Sequence, residues 1–349
     1  MSKTAINKLR QELLRHNLDA LLITKGANIA YLSGFKGEGQ LLITPAKKIL
    51  LTDFRFKEQA AEETRAFQIR QRQKFRPLEE SILRLVKKLK LKRLGFESRS
   101  LSYQFYGKLR QALRPVKLVA TGDIVEQLRT IKSGREIKLL KKAAHLAVGT
   151  FRFARSIIKP GRKEVEIAGE LEHFMRKYNA KGRSFDIIVA SGKRSSMPHA
   201  SASLRTIKDN ETVLLDLGCR IHGYNSDLTR MVFLGKISPK IKRIYEIVLR
   251  AQELAIKAIR AGEKICQIDK IARQYITKEG LGAFFGHALG HGIGREVHEN
   301  PSISPENRQT LKAGMVFTVE PGVYIPGMGG VRVEDMVLVT KAGCEVLTK

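Results

Sequence analysis

The C-terminal two thirds of the chain reads nearly the same order twice. Ile157–Arg176 is IIKPGRKEVEIAGELEHFMR, and about a hundred residues later Ala258–Ile276 is AIRAGEKICQIDKIARQYI. Both pass from a helix end through a basic-x-Gly turn into a second amphipathic helix. A histidine-bearing stretch follows each, and then a hairpin carrying two acids. Asp216 lies in the apolar strand TVLLDLG, and Asp227 follows a turn at Gly223 in NSDLTRMVFLG. Correspondingly, Glu320 lies in MVFTVEPG and Glu334 follows a Gly-rich turn in GVRVEDMVLV. His199 in MPHAS and His298 in EVHENPS also occupy comparable places. Repetition of this order predicts two like halves facing each other, each giving one carboxylate pair to a site near a pseudo-twofold axis.

An acid inside a strand such as VLLDLG is costly unless something neutralises it, because a buried unpaired carboxylate costs several kcal/mol or shifts its pKa. A single such acid more often faces a turn or an ion pair; four of them in two matched hairpins point to metal. The segment GHALGHGIGREVHE adds His287, His291 and His298. His287 and His291, four apart, would share a helix face, but Gly290, Gly292 and Gly294 argue for a loop or an extended strand. One histidine alone would read as a satisfied core residue, whereas three beside carboxylate hairpins do not. The set Asp216, Asp227, His291, Glu320 and Glu334 offers four carboxylates and one imidazole, donors that suit Mn²⁺, Co²⁺ or Zn²⁺. Two such ions can share a hydroxide nucleophile.

A length of 349 residues exceeds the usual single-domain size and predicts two domains. Residues 1–128 alternate between helical and strand signals. AINKLRQELLRHN, EQAAEETR and LEESILRLVKKL read as helices; DALLIT, NIAYLSGF, GQLLIT, KKILLTDFRF, FQIRQ and RLGFES read as strands. The texture changes in VEQLRTIKSGRE, where Ser133 is a candidate N-cap three residues before Glu136. The expected division is therefore 1–128, an α/β domain, and 129–349, the domain carrying the paired acids.

No apolar run approaches the ~20 residues that span a bilayer, and MSKTAINKLRQELL lacks the apolar stretch and cleavage site of a signal peptide, so a cytoplasmic protein is expected. Cys219, Cys266 and Cys344 are odd in number, widely spaced and without CxxC pairing, which argues against a disulfide framework and against structural zinc. The formal net charge of +30 is the compositional oddity. Both parts share it, +14 over residues 1–128 and +16 over the remainder, so no charged tail explains it. Its densest stretches, RQRQKFR and RLVKKLKLKR, alternate with apolar residues and have no interleaved aromatic platform. They read as a solvated basic face rather than a nucleic-acid site.

The segments SDLTR, GHALGHGIGREVHE, VEPGVY and GVRVED resemble the metallopeptidases of the pita-bread fold, in the branch of the Xaa-Pro aminopeptidases (aminopeptidase P) and prolidases. NIAYLSGF, TDFRF and LRTIKSGREIKLLKKAA are similar to that branch's N-terminal domain and linker, so the resemblance covers nearly the whole chain. HGIG with a later histidine would also suit a methionine aminopeptidase, but that relative usually lacks the N-terminal domain. The resemblance implies an α+β protein, with a creatinase-like, ribonuclease-H-like α/β domain before a pita-bread domain of pseudo-twofold symmetry. It implies Asp216, Asp227, His291, Glu320 and Glu334 as metal ligands, Asp227 and Glu334 bridging two ions that are Mn²⁺ in this branch. His199 and His298 would steady the scissile carbonyl, His287 would line the pocket, and Tyr324 and Arg332 would shape the proline site. A homodimer acting on proline-containing peptides is the further implication.

The expected chemistry is hydrolysis by a metal-bridging hydroxide of the bond before proline, with Glu320 taking a proton and passing it to the prolyl nitrogen. Prolidases often carry an arginine after HExP to hold a dipeptide's carboxylate. Here HENPSI puts Ser302 at that place, which favours an aminopeptidase over an Xaa-Pro dipeptidase unless Lys193 or Arg194 substitutes. An inactive binding protein or a metal-free, creatinase-like hydrolase on the same fold should have lost metal ligands, and none is missing.

Overall fold

Strands buried on both faces and helices buried on one build the N-terminal unit. The computed structural model describes residues 3–64, 66–73 and 75–349, and the chain divides at Arg129/Thr130 into two units. The first holds α1 (Lys3–Arg15), β1 (Ala20–Ile23), α2 (Gly26–Ser33), β2 (Gly39–Ile43), β3 (Lys48–Thr52) and α3 (Lys57–Glu63). After these come β4 (Gln68–Gln71), α4 (Leu78–Lys88), β5 (Arg93–Glu97), α5 (Tyr103–Ala112), β6 (Lys117–Thr121) and α6 (Ile124–Thr130). Its six strands form one mixed sheet in the order β4-β3-β2-β1-β5-β6, with β1, β2 and β3 antiparallel and β5 and β6 parallel to β1. Leu21 and Ile23 of β1 face Leu9 and Leu13 of α1, while Ala20 and Leu22 face Ile82 and Val86 of α4. A central strand covered by helices on both sides has no polar face, so its run is continuously apolar. This is the layered α/β domain that the resemblance implies.

One expectation fails here. NIAYLSGF is not a strand but the body of α2. Its buried residues, Asn28, Ile29, Leu32 and Ser33, recur at helical spacing, and Gly34 closes the helix in a left-handed conformation at φ 84°. The β-branched and aromatic content of the segment masked that period.

The second unit begins with α7 (Gly134–Ile157), started by the predicted capping box: Ser133 Oγ accepts from Glu136 N, and the Glu136 carboxylate accepts from Ser133 N. It continues through α8 (Glu164–Lys177), β7 (Ile188–Ser191), β8 (Thr212–Leu217), β9 (Arg220–Ile221), β10 (Tyr224–Asn225), β11 (Leu228–Phe233), α9 (Pro239–Ala258) and α10 (Ile265–Lys278). The last strands are β12 (Gly290–Gly292), β13 (Glu299–Ile303), β14 (Val316–Val319), β15 (Gly322–Ile325), β16 (Gly329–Arg332), β17 (Asp335–Val339) and β18 (Cys344–Val346).

The sequence repeat is a structural repeat. The turn before α8 pivots on Gly161 at φ 88° and that before α10 on Gly262 at φ 99°, values L side chains rarely adopt. Gly161 N donates to Ile207 O and Gly262 N to Leu311 O, both at 2.9 Å. Lys163 then bridges to Thr206 as Lys264 bridges to Thr310. Each half next adds a sheet, β11-β8-β7 in the first and β13-β12-β14-β17-β18 in the second. In β8, Val213, Leu215 and Leu217 pack with Ile167 and Leu171 of α8. Period two therefore turns Leu214 and Asp216 to the other face. In β14 and β17, Phe317, Val319, Val337 and Val339 join the cluster that contains α9 and α10. Val316 and Met336 face away from those helices, and Glu320 and Glu334 continue that second set. In each half the acids lie on the sheet face turned away from that half's own helices, α7 and α8 in the first and α9 and α10 in the second. Glu334 N donates to Thr229 O at 3.1 Å and ties the two sheets together at the site. These features define the pita-bread arrangement.

Candidate metal centre

Between the sheets lies a cavity of about 810 Å³. Its wall contains every residue that the resemblance named for the metal and substrate: Asp216, Asp227, His291, Glu320 and Glu334, with His199, His287, His298, Tyr324 and Arg332. Asp216 sits near the end of β8 opposite Thr229 of β11, and Asp227 directly precedes β11. Glu320 directly follows β14 and Glu334 directly precedes β17.

His291 enters from β12, so the extended reading of the glycine-rich segment holds and the helical one does not. A β-carbon on Gly290 would lie 1.9 Å from Thr318 O, so only glycine permits this approach of β12 to β14. His291 Nδ1 lies 3.1 Å from the Gly292 carbonyl, which favours a proton on Nδ1 and turns Nε2 to the carboxylates. Nε2 is 3.2 Å from Glu320 Oε1 and 3.6 Å from Asp227 Oδ2. Ligand atoms of Asp227, His291 and Glu334 all fall within 4.8 Å of one another.

The electrostatics of the site favour a cation. Burial raises the Asp227 and Glu334 carboxyls well above their ordinary range, and repulsion by neighbouring carboxylates adds to it. Burial also raises Asp216, against the opposing pull of Arg332. Glu320 alone among the four acids is lowered: burial would raise it, and the hydrogen bond and charge of His291, with the charges of Arg332 and His287, win. His291 is raised in turn: burial would lower it, and its bond to Glu320 wins. Asp216 Oδ1 and Glu334 Oε1 are buried and have no hydrogen-bond partner among the described residues. Buried acceptors left unmatched in this way are rare in folded proteins, and hard oxygen donors around one imidazole fit divalent ions. The donor set fits the expected metal.

Around the acids runs a hydrogen-bonded frame. Arg332, only 4% exposed, donates from Nη2 to Asp216 Oδ2 at 2.6 Å, from Nη1 to Tyr324 OH at 2.7 Å and to Pro198 O at 3.2 Å, and from Nε to Thr229 Oγ1 at 3.1 Å. Burial pushes the Tyr324 hydroxyl up to about 12, so it stays protonated. His287 Nε2 is 3.2 Å from that hydroxyl, and burial lowers the His287 pKa. His298 packs edge-on to His291 with centroids 4.3 Å apart; burial, then the charge of His291, lowers it.

Two residues of this frame escaped the sequence reading. Thr229 Oγ1 donates to Glu334 Oε2 at 2.7 Å. Thr318 Oγ1 donates to Glu320 Oε1 at 2.9 Å and accepts from His291 N at 3.0 Å. The signal was period two: Thr229 stands two residues after Asp227 and Thr318 two before Glu320, each on its acid's side of the strand. Arg194, considered as a cation for the substrate, is instead paired with the fully buried Glu164 at 3.1 Å and bonded to Ser201 O.

Two carboxylate hairpins closing on one histidine define a metal-dependent hydrolase of the pita-bread class. The chain belongs to Metallopeptidase family M24, whose pattern matches residues 138–341, behind a Creatinase/Prolidase N-terminal domain matching residues 6–131. It is 39% identical to an Xaa-Pro dipeptidase of Pyrococcus horikoshii over 99% of this chain and 96% of the relative. Among solved structures it is similar to an Xaa-Pro dipeptidase from Bacillus anthracis, with TM-score 0.96, 42% identity and 99% and 97% of the two chains covered. It is also similar to an X-Pro aminopeptidase from Thermotoga maritima, with TM-score 0.90, 38% identity and 97% of each chain covered. As a member of this family the protein is a metallopeptidase that works with divalent metal ions on peptide substrates. No helix among the described residues is long and apolar enough to cross a membrane.

Proposed function

We propose that this protein is an aminopeptidase that hydrolyses the Xaa-Pro bond at the N-terminus of peptides longer than two residues. On this reading Asp216, Asp227, His291, Glu320 and Glu334 would hold two divalent ions. Mn²⁺ is the proposed metal, with Co²⁺ and Zn²⁺ also suited to these donors. When bound, the pair supplies Lewis acidity and a water acidic enough to lose a proton near neutral pH.

The chain's own residues do the rest. Glu320, held through Oε1 by Thr318 and His291, accepts a proton and returns it to the departing prolyl nitrogen. His199 and His298 donate to the scissile carbonyl oxygen as negative charge develops there. His287, Tyr324 and Arg332 form the proline side. Proline offers no N–H, so this pocket selects ring shape rather than a donor.

The choice of longer peptides rests on one observation. Among the described residues lining the cavity, Arg332 is the sole lysine or arginine, and its guanidinium is committed to Asp216, Tyr324, Thr229 and Pro198. Ser302 stands where a clamp for a dipeptide's carboxylate is expected. A free carboxylate would enter that cavity without an uncommitted cation to meet it. The second reading, an Xaa-Pro dipeptidase, is favoured by the names of the Pyrococcus and Bacillus relatives. Incubating the Mn²⁺-loaded protein with Xaa-Pro-Yaa and Xaa-Pro peptides, and following free amino acid by chromatography, separates the two. Preferred release of Xaa from the tripeptide supports the aminopeptidase; cleavage of the dipeptide alone reverses the choice.

The same reading takes the enzyme as a cytoplasmic homodimer, following the branch it resembles. Light scattering at micromolar concentration tests the dimer, which a clean monomer would remove.

A further inference from the structure

The segment that carries His287 has no strand to hold it. Between the 3₁₀ turn Gly282–Phe284 and the start of β12 at Gly290, the chain runs in irregular conformation past the cavity. Backbone groups in such a segment need partners from elsewhere. Three of them find partners on α10, in two side chains that none of the site assignments includes.

Asp269 has a fully buried side chain, and Arg273, one turn later, is 28% exposed. Arg273 donates from Nε to Asp269 Oδ2 at 2.7 Å and from Nη2 to Asp269 Oδ1 at 2.8 Å. Nη1 donates to Phe285 O at 3.0 Å, and Nη2 also to His287 O at 2.8 Å. Asp269 Oδ1 in turn accepts from Leu289 N at 3.1 Å. The pair thus grips three alternate residues of one segment, using four of the five guanidinium N–H groups. The guanidinium carbon also lies 4.3 Å from the centroid of Phe285, whose ring packs edge-on to His287 with centroids 5.1 Å apart. From His287 the connection runs to Tyr324 and on to Arg332 and Asp216.

We propose that Asp269 and Arg273 are positioning residues that set His287 against the proline pocket by clamping the backbone from Phe285 to Leu289. Neither touches the cavity's reacting groups; both act through His287. The inference rests on the proposed Xaa-Pro activity for its kinetic consequence but not for its geometry. Lysine cannot replace the arginine, because a single ammonium cannot reach two carbonyls and both carboxylate oxygens in one plane.

The test uses Arg273→Ala, with Arg273→Lys as the variant that keeps the charge beside Asp269 if the alanine protein does not fold. Hydrogen exchange of the full-length protein reads the clamp without any activity: the peptide spanning residues 285–292 should exchange faster in the variant, with the 212–217 strand unchanged. Unaltered exchange there overturns the proposal. With the Mn²⁺-loaded enzyme and an Xaa-Pro-Yaa substrate, KM should rise about tenfold and kcat fall less, at metal content equal to wild type, since misplacing a binding group by about 1 Å can cost up to 10²-fold. Combining Arg273→Ala with His287→Ala decides whether the effect passes through the histidine. In the His287→Ala background the Arg273 substitution should cost under twofold, whereas the same factor in both backgrounds contradicts it. A wild-type protein inactive on every Xaa-Pro peptide would sink the functional reading, and the exchange result would still decide the clamp.

Discussion

The two halves of the catalytic unit share a skeleton and differ in chemistry. Each has a glycine-pivoted turn, a fourteen-residue helix (α8 and α10) and a hairpin with two acids. The first half gives aspartates, Asp216 and Asp227; the second gives glutamates, Glu320 and Glu334, and supplies His291 besides. Arg332 crosses from the second half to neutralise Asp216, whereas Glu320 is held by the histidine of its own half. Symmetry brings four carboxylates together, and on the proposed reading the departures from symmetry give them separate tasks: Glu320, lowered beside His291, moves a proton, and Asp227 and Glu334, raised by burial and mutual repulsion, serve a cation.

Substituting the acids tests the part the halves share. Asp227→Ala and Glu334→Ala should each lose bound metal and activity together. Losing about 4 kcal/mol of charge stabilisation is a fall of about 10³-fold, read by elemental analysis beside a peptide assay. Retained metal in either variant would break the symmetry argument. His199→Ala and His298→Ala probe the two histidines at comparable places. Each should lower kcat by about 10²-fold, the usual cost of a lost donor to a developing oxyanion, with metal content unchanged.

The threonines sharpen the difference. Thr229→Val removes a donor to Glu334 and should weaken metal affinity about 10-fold to 100-fold in a metal titration, with kcat at saturating metal nearly unaltered. Thr318→Val touches the residue assigned to proton transfer, so its kcat should stay low even at saturating metal. Equal behaviour of the two variants would contradict the division of labour between Glu320 and Glu334. At the small end, Gly161→Ala and Gly262→Ala should each cost about 1–2 kcal/mol of stability in denaturant unfolding, alike in size and with metal affinity unchanged.

Much of this was legible in the sequence because it lies in local patterns. The repeat could be read from a turn motif and a pair of acids, each within about twenty residues. The capping box at Ser133 could be read from a spacing of three. What was misread or missed depends on partners far away in the chain. NIAYLSGF has strand-like composition, and its helical period shows only once Asn28 is known to be buried, bonded to Glu97. Arg194 looked free because Glu164, thirty residues earlier, is an ordinary helix-start acid until its complete burial is seen. The threonines were overlooked because a hydroxyl in a strand is unremarkable until the carboxylate across from it is known. Arg273 is an ordinary helix residue by pattern, and only the fold brings Phe285 and His287 to it.

The central claim is that the two hairpins close on one dinuclear site. Titrating Mn²⁺ into the metal-free protein by calorimetry tests it most directly. Two ions should bind per chain, and Glu334→Ala, which removes a carboxylate that the family resemblance gives to both, should weaken both steps. Binding of one ion or none by the wild type, or a Glu334→Ala protein that titrates like it, would contradict the account.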